Sequence, residues 1–165
     1  MHDEVQHGTQ YGRIDHVAIA VRNLEDGIRF FVDLLGFQLM QRRVINGKRT
    51  GMISAELEHN GIKFVLCQGT EPESQVSMLI ENFGPGVAHI ALAVDDVEAT
   101  SAELKKRGMA FDTNIIRGPG LIQLFSSRDM NSGMSFEFIQ RNGEADFSEE
   151  NVRELFAQLE NSGAY

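Results

Sequence analysis

The chain has 165 residues, long enough for one domain with a substantial core or for two small modules that share one. Its 24 acidic against 15 basic side chains leave a formal net charge of −9, which argues against a nucleic-acid partner. The single cysteine, Cys67, excludes an internal disulfide, and with no long apolar span to serve as an anchor the expectation is a cytoplasmic protein without a membrane partner.

Residues 1–11 show no periodicity and are expected to form a mobile tail in which His2 and His7 are solvated. A buried strand follows over 13–21, with an imidazole in the run Asp15-His16-Val17-Ala18-Ile19-Ala20-Val21. Asn23 is a suitable N-cap for a helix over 24–35, whose apolar stripe is Ile28, Phe31, Leu34 and Leu35. Residues 37–45 alternate in polarity. Asn46-Gly47 signals a hairpin before 50–58, and Asn60-Gly61 repeats that signal before a strand over 62–68. His59, beside the second turn, is expected to be exposed. Strand, helix and three-strand meander thus occupy about 12–70, and an acidic, partly helical link over 71–83 ends at Pro85-Gly86.

The same order then returns over about 84–141. Gly86-Val87-Ala88-His89-Ile90-Ala91-Leu92-Ala93-Val94 places a second histidine at the same point of the same hydrophobic pattern, so the chain reads as a duplicated unit. Asp95 or Asp96 caps a helix to Arg107, and strands are expected over 110–116, 121–127 and 134–140, with Arg117-Gly118-Pro119-Gly120 as a turn. Gly36 and Gly108 lie 20 and 19 residues past their histidines, as C-caps of equal helices would. The last strands, Gly61-Ile62-Lys63-Phe64-Val65-Leu66-Cys67-Gln68 and Gly133-Met134-Ser135-Phe136-Glu137-Phe138-Ile139-Gln140, line up equally well. The repeat breaks over about 147–161, where Phe147, Val152, Leu155, Phe156 and Leu159 fall at helical spacing. This C-terminal helix packs on the sheet, forms a homodimer contact, or acts as a lid. The fold expected is α+β: two tandem βαβββ modules in a cupped, barrel-like mixed sheet, with residues 12–165 as a single domain.

The copies differ where it matters for chemistry. Glu137 stands on the last strand of the second copy, and Val65 stands at that place in the first. Period 2 separates Glu137 from its neighbours Phe136 and Phe138 by face. Each histidine alone could be a hydrogen-bonded core residue, and Glu137 alone a salt-bridged one. Two histidines on equivalent strands with one inward carboxylate could instead hold a metal, leaving positions open as in the facial triad of non-heme Fe(II) oxygenases. Cys67 either lines that cavity or is a small buried residue, and Gln123 either faces outward or hydrogen-bonds within the cup.

Several stretches resemble the vicinal oxygen chelate superfamily, and the C-terminal, catalytic domain of 4-hydroxyphenylpyruvate dioxygenase and 4-hydroxymandelate synthase in particular. They are Asp15-His16, Ser74-Gln75, Gly84-Pro85-Gly86-Val87-Ala88-His89-Ile90-Ala91-Leu92, Leu121-Ile122-Gln123-Leu124-Phe125 and Phe136-Glu137-Phe138-Ile139-Gln140-Arg141. The resemblance implies that His16, His89 and Glu137 bind Fe(II), and that Ser54, Gln75 and Gln123 belong to a substrate pocket. Phe125, Phe136, Phe147 and Phe156 are its candidate walls. It further implies oxidative decarboxylation of a 2-oxo acid substrate, with dioxygen as co-substrate and the substrate's own side chain oxidised. Two departures are plain: the family's enzymes carry an extra N-terminal domain of the same fold, and they have Asn where this chain has Cys67. Related epimerases, isomerases and lyases use a fourth ligand at the place of Val65, and resistance-type binding proteins of the superfamily use no metal.

Overall fold

The two opening strands of the repeat pair with each other, and the rest of each copy spreads outward from that seam. A computed structural model describes residues 10–142 and 149–162. In the first copy, β1 (Tyr11–Ala20) is followed by α1 (Leu24–Ile28), which widens into a π-helical stretch (Arg29–Leu34). Next come β2 (Gln38–Asn46), β3 (Gly51–His59) and β4 (Ile62–Gly69). After α2 (Gln75–Phe83), the second copy runs β5 (Gly86–Val94), α3 (Val97–Lys106), β6 (Ile116–Gly118), β7 (Leu121–Phe125) and β8 (Phe136–Arg141), and α4 (Glu149–Ser162) closes the described chain. The strands form one eight-stranded sheet in the order β2-β3-β4-β1-β5-β8-β7-β6. Each opening strand runs parallel to the last strand of its own copy, and β1 and β5 are antiparallel.

Alternation along the strands decides what is covered by what. Ala55, Leu57 and Leu66 face outward and pack under Leu24 and Ile28 of α1. Leu124 and Phe138 do the same under Val97 and Leu104 of α3. The intervening residues point to the inner face. The helices start alike: Asn23 Oδ1 accepts from Asp26 N and Asp96 Oδ1 accepts from Ala99 N. Their first amides are tied to equivalent glutamines, Leu24 N donating to Gln68 Oε1 at 2.6 Å and Val97 N to Gln140 Oε1 at 2.9 Å. Gly36 and Gly108 end the helical turns at φ +82 and +94, the left-handed region where glycine avoids a Cβ clash.

The inner face is closed by α4, which contacts β2 and β6, the two edge strands of the sheet. Two glycines permit that seat. A Cβ on Gly118 would fall on the Asn151 amide, and one on Gly47 on Glu160 and Phe156. Glu160 also accepts from Thr50 Oγ1 at 3.2 Å.

Three boundaries differ from the sequence expectation. The expected tail over 1–11 lies outside the described residues except at its end, where Tyr11 already opens β1, opposite Val94 and with its ring stacked on Phe138. No continuous strand forms over 110–116; only an isolated Phe111–Ser126 bridge precedes β6. Two backbone bonds flank that bridge, Asp112 N donating to Phe125 O and Ser127 N to Ala110 O, and side chains supply others: Thr113 Oγ1 accepts from Phe125 N, Asp112 Oδ1 from Ser127 Oγ, and Asn114 N donates to Gln158 Oε1. Arg117 and Gly118, expected in a turn, belong to β6, and the turn is confined to Pro119-Gly120. The glutamine tethers carry a prediction: Gln68→Ala and Gln140→Ala each leave a part-buried amide without its acceptor, so urea denaturation should show each variant about 1–3 kcal/mol less stable.

Candidate metal centre

The β1–β5 register sets His16 opposite Ala91 and Ala18 opposite His89. The imidazoles are therefore diagonal neighbours on one face, and their ring centroids lie 5.8 Å apart. The parallel pairings extend both rows. Ala91 is level with Glu137 on β8, and Ala18 is level with Val65 on β4. One row thus reads His16, Ala91, Glu137 and the other His89, Ala18, Val65. The alanines between the polar side chains leave room above the sheet.

Into that room Glu137 projects its carboxylate, with Oε2 2.9 Å from His16 Nε2 and 3.6 Å from His89 Nε2. Glu137 and His16 are almost wholly buried, and the His89 side chain is 18% exposed. The other oxygen, Oε1, accepts from Gln123 Nε2 at 2.6 Å. Gln123 Oε1 in turn accepts from Asn151 Nδ2 at 3.1 Å, so the carboxylate is steadied from α4. Behind His16, Asp15 Oδ1 lies 2.8 Å from Nδ1, and Arg141 grips Asp15 through Nε and a terminal nitrogen at 2.8 and 2.9 Å.

Burial would favour neutral forms of these groups, and their mutual charges override it. Asp15 is held well below the usual carboxylate range despite burial, by hydrogen bonds from Arg141 and His16. Burial pulls His16 down, yet the charge of Glu137 and the Asp15 contact raise it to about 9. Burial pushes Glu137 up, and the two imidazoles bring it to about 2.

The donor set fits a divalent cation. One atom each from His16, His89 and Glu137 lies within 4.8 Å of the others. Neighbouring ligands at about 2.1 Å from a metal are separated by about 3 Å, close to the two distances above. Glu137 Oε2 is buried, faces both Nε2 atoms and makes no directed hydrogen bond. A buried carboxylate oxygen so placed is what a cation would satisfy.

The three donors open into a cavity between the sheet and α4. Ser54, Cys67 and Gln123 line it with Phe125 and Val65, and Val152 and Leu155 of α4 form its roof. Gln123 thus faces into the cup. Three expected pocket residues stand elsewhere. Phe136 packs with the α3 cluster on the outer face, as the alternation that turns Glu137 inward requires. Gln75 is buried near the start of α2, its amide without a hydrogen-bond partner, and is outside the cavity lining. Phe156 packs against Gly47 instead of lining the cavity, and Phe147 lies outside the described residues. The sequence reading missed Arg43 and Glu56, which also line the cavity. Glu56 was within reach of the period-2 argument, being two residues from Ser54 on the same strand.

With this geometry in hand, comparison with known proteins gives the class. The family model described as the Glyoxalase/Bleomycin resistance protein/Dioxygenase superfamily matches residues 13–137, and the chain belongs to that superfamily. The chain is 28% identical over 185 residues to 4-hydroxyphenylpyruvate dioxygenase of Legionella pneumophila, an alignment covering 89% of this chain and 53% of the relative. It is 30% identical over 97 residues to mitochondrial methylmalonyl-CoA epimerase of Mus musculus, covering 58% and 53%. A solved variant of 4-hydroxymandelate synthase from Streptomyces coelicolor superposes with a TM-score of 0.78 at 23% identity, over 92% of this chain and 56% of that one. The fold is the vicinal oxygen chelate fold, and the chain spans about half the length of the dioxygenase it matches. Among the described residues, no helix is long and apolar enough to cross a membrane.

The thiol in this cavity also has a predictable chemistry. Burial, with the Glu56 carboxylate adding to it, pushes Cys67 up to about 12. Alkylation by iodoacetamide at pH 8 should therefore be at least ~100-fold slower in the folded protein than in urea, as followed by intact mass. Equal rates would place the thiol in a different environment.

Proposed function

We propose that the chain is the metal-bearing part of a non-heme Fe(II)-dependent dioxygenase of the 4-hydroxyphenylpyruvate dioxygenase type, which oxidatively decarboxylates a 2-oxo acid and oxidises that substrate's own side chain. The observation that carries this reading is the asymmetry of the two rows: two histidines and Glu137 converge, and the position equivalent to Glu137 in the first copy is the apolar Val65. His16, His89 and Glu137 would hold the metal. Bound there, Fe(II) would supply redox chemistry and open coordination positions for the 2-oxo acid and dioxygen.

The chain's own residues have definable tasks in this reading. Asp15, clamped by Arg141, holds the His16 ring at Nδ1 and keeps Nε2 turned to the site. His16 gives up its Nε2 proton when a metal is taken up. Gln123, steadied by Asn151, fixes Glu137 through Oε1 and leaves Oε2 for the metal. Val65, Phe125, Val152 and Leu155 exclude water from the reacting end. The kinship with methylmalonyl-CoA epimerase supports a second reading, in which the metal only polarises a carbonyl. A fourth protein ligand at position 65 would favour that chemistry, and Val65 speaks for the oxygenase.

The test is anaerobic loading with Fe(II), followed by oxygen uptake and carbon dioxide release across aryl and alkyl 2-oxo acids. Coupled consumption and decarboxylation without added 2-oxoglutarate is expected. His16→Ala, His89→Ala and Glu137→Ala should each weaken iron binding by at least ~10-fold. Full iron affinity in all three variants overturns the site, and stoichiometric iron without oxygen uptake on any 2-oxo acid overturns the oxygenase in favour of Lewis-acid chemistry.

A further inference from the structure

No residue of α4 belongs to the donor set, yet a chain of hydrogen bonds runs from that helix to Glu137, and its direction is fixed at the far end. Asn151 Nδ2 donates to the backbone carbonyl of Leu121 at 3.3 Å and to Gln123 Oε1 at 3.1 Å. A carbonyl oxygen only accepts, so Leu121 selects the nitrogen end of the Asn151 amide. That nitrogen faces the oxygen end of the Gln123 amide, which leaves Gln123 Nε2 to donate to Glu137 Oε1 at 2.6 Å. All three side chains are buried, where a lost link costs most. With Asn151 withdrawn, the Gln123 amide loses the contact that orients it, and turned over it would set its oxygen against the carboxylate.

The place of Asn151 depends in turn on the seating of the whole helix. Beside it, Gly118 of β6 leaves no room for a Cβ. Further along the helix, Gly47, between β2 and β3, admits Phe156 and Glu160 in the same way. Gln158 Oε1 accepts from Asn114 N at 2.8 Å, and Glu160 Oε1 from Thr50 Oγ1 at 3.2 Å. Phe156 and Asn151 are separated by about 7.5 Å of helix, short enough for a displacement at one to be felt at the other.

Resting on the metal site of the reading above and not on its oxygenase chemistry, we propose that the docking of α4 and the binding of the cation are energetically coupled through Asn151. Asn151 is a positioning residue: through Gln123 it holds Glu137 with Oε1 engaged and Oε2 offered to the metal. Docking and cation binding then strengthen each other by one and the same factor. An opening of α4 that uncovers the cavity also loosens the grip on the cation, so the site holds its metal firmly only when roofed.

Hydrogen exchange of the unaltered chain, with and without saturating Mn(II), reads the coupling in one direction. The amides of α4 should exchange at least about tenfold more slowly with the cation, and those of α3, on the outer face, at the same rate. Calorimetric Mn(II) affinity reads it in the other direction. Asn151→Asp, equal in shape but without the donor, should bind Mn(II) at least about tenfold more weakly. Gly47→Ala, remote from the donors, should speed α4 exchange and weaken Mn(II) by at least about fivefold. In a Gln123→Leu background, which cuts the chain, Gly47→Ala should still speed exchange but leave the affinity of that background unchanged. Unchanged α4 exchange on cation binding, unaltered affinity in Asn151→Asp, or an equal loss from Gly47→Ala with and without Gln123 each overturns the coupling. A chain that binds no divalent cation overturns the metal site itself, and the coupling with it.

Discussion

β1 and β5 meet antiparallel with His16 opposite Ala91 and Ala18 opposite His89, and the site follows from that pairing. A slip of one residue would turn one imidazole to the helix-covered face, because side chains alternate with period 2. The seam is held by more than its ladder. β4 and β8 flank it in parallel, each bringing one residue level with an alanine of the seam. The helices on the outer face pack against those flanking strands, and Gln68 and Gln140 bind the first amide of each helix. Register, helix docking and site geometry are therefore one constraint, and a larger residue at Ala18 or Ala91 would meet it by filling the space in which the three donors converge.

Duplication gives two equivalent half-sites, and the chain has made them unlike. Glu137 on β8 corresponds to Val65 on β4, and the cross-strand neighbours of these residues, Phe125 and Glu56, are exchanged in character. The second copy thus places its carboxylate beside the histidines and an aromatic ring next to it, Phe125 lying 5.3 Å from His89. The first copy places a hydrocarbon beside them and a carboxylate next to that, paired with Arg43. α4 bridges the halves, supplying Asn151 to the Glu137 network and Val152 and Leu155 to the roof.

The parts of this arrangement that were legible in the sequence are those that repetition made redundant. Two His-bearing strands with matched glycines and matched last strands defined the order of elements, and the Glu137–Val65 difference stood out only against that match. Over 110–116 the strand pairing shrinks to the Phe111–Ser126 bridge, and bonds through the Thr113, Asp112 and Gln158 side chains, which no periodicity records, take up the rest of the stretch. Phe136, a candidate pocket wall, packs on the outer face, as its parity with Glu137 requires. Arg43 was hidden for a different reason. In the run Gln41-Arg42-Arg43-Val44, the adjacent Arg42 pairs with Glu25 at the surface and Arg43 turns inward, and a charged residue in an alternating strand is ordinarily read as solvated.

The charge balance of the buried network bears on what the site can accept. Asp15 is met by Arg141, Arg13 and His16, and Glu137 by His16 and His89, so each buried carboxylate is matched by guanidinium or imidazole groups. On the proposed reading, a divalent cation held by His16, His89 and Glu137 would add positive charge to a network that already contains Arg141 and Arg13. The reacting end of a substrate would then be drawn in by its negative charge, as the carboxylate of a 2-oxo acid would be, and the register that converges the three donors would also set where that charge comes to rest.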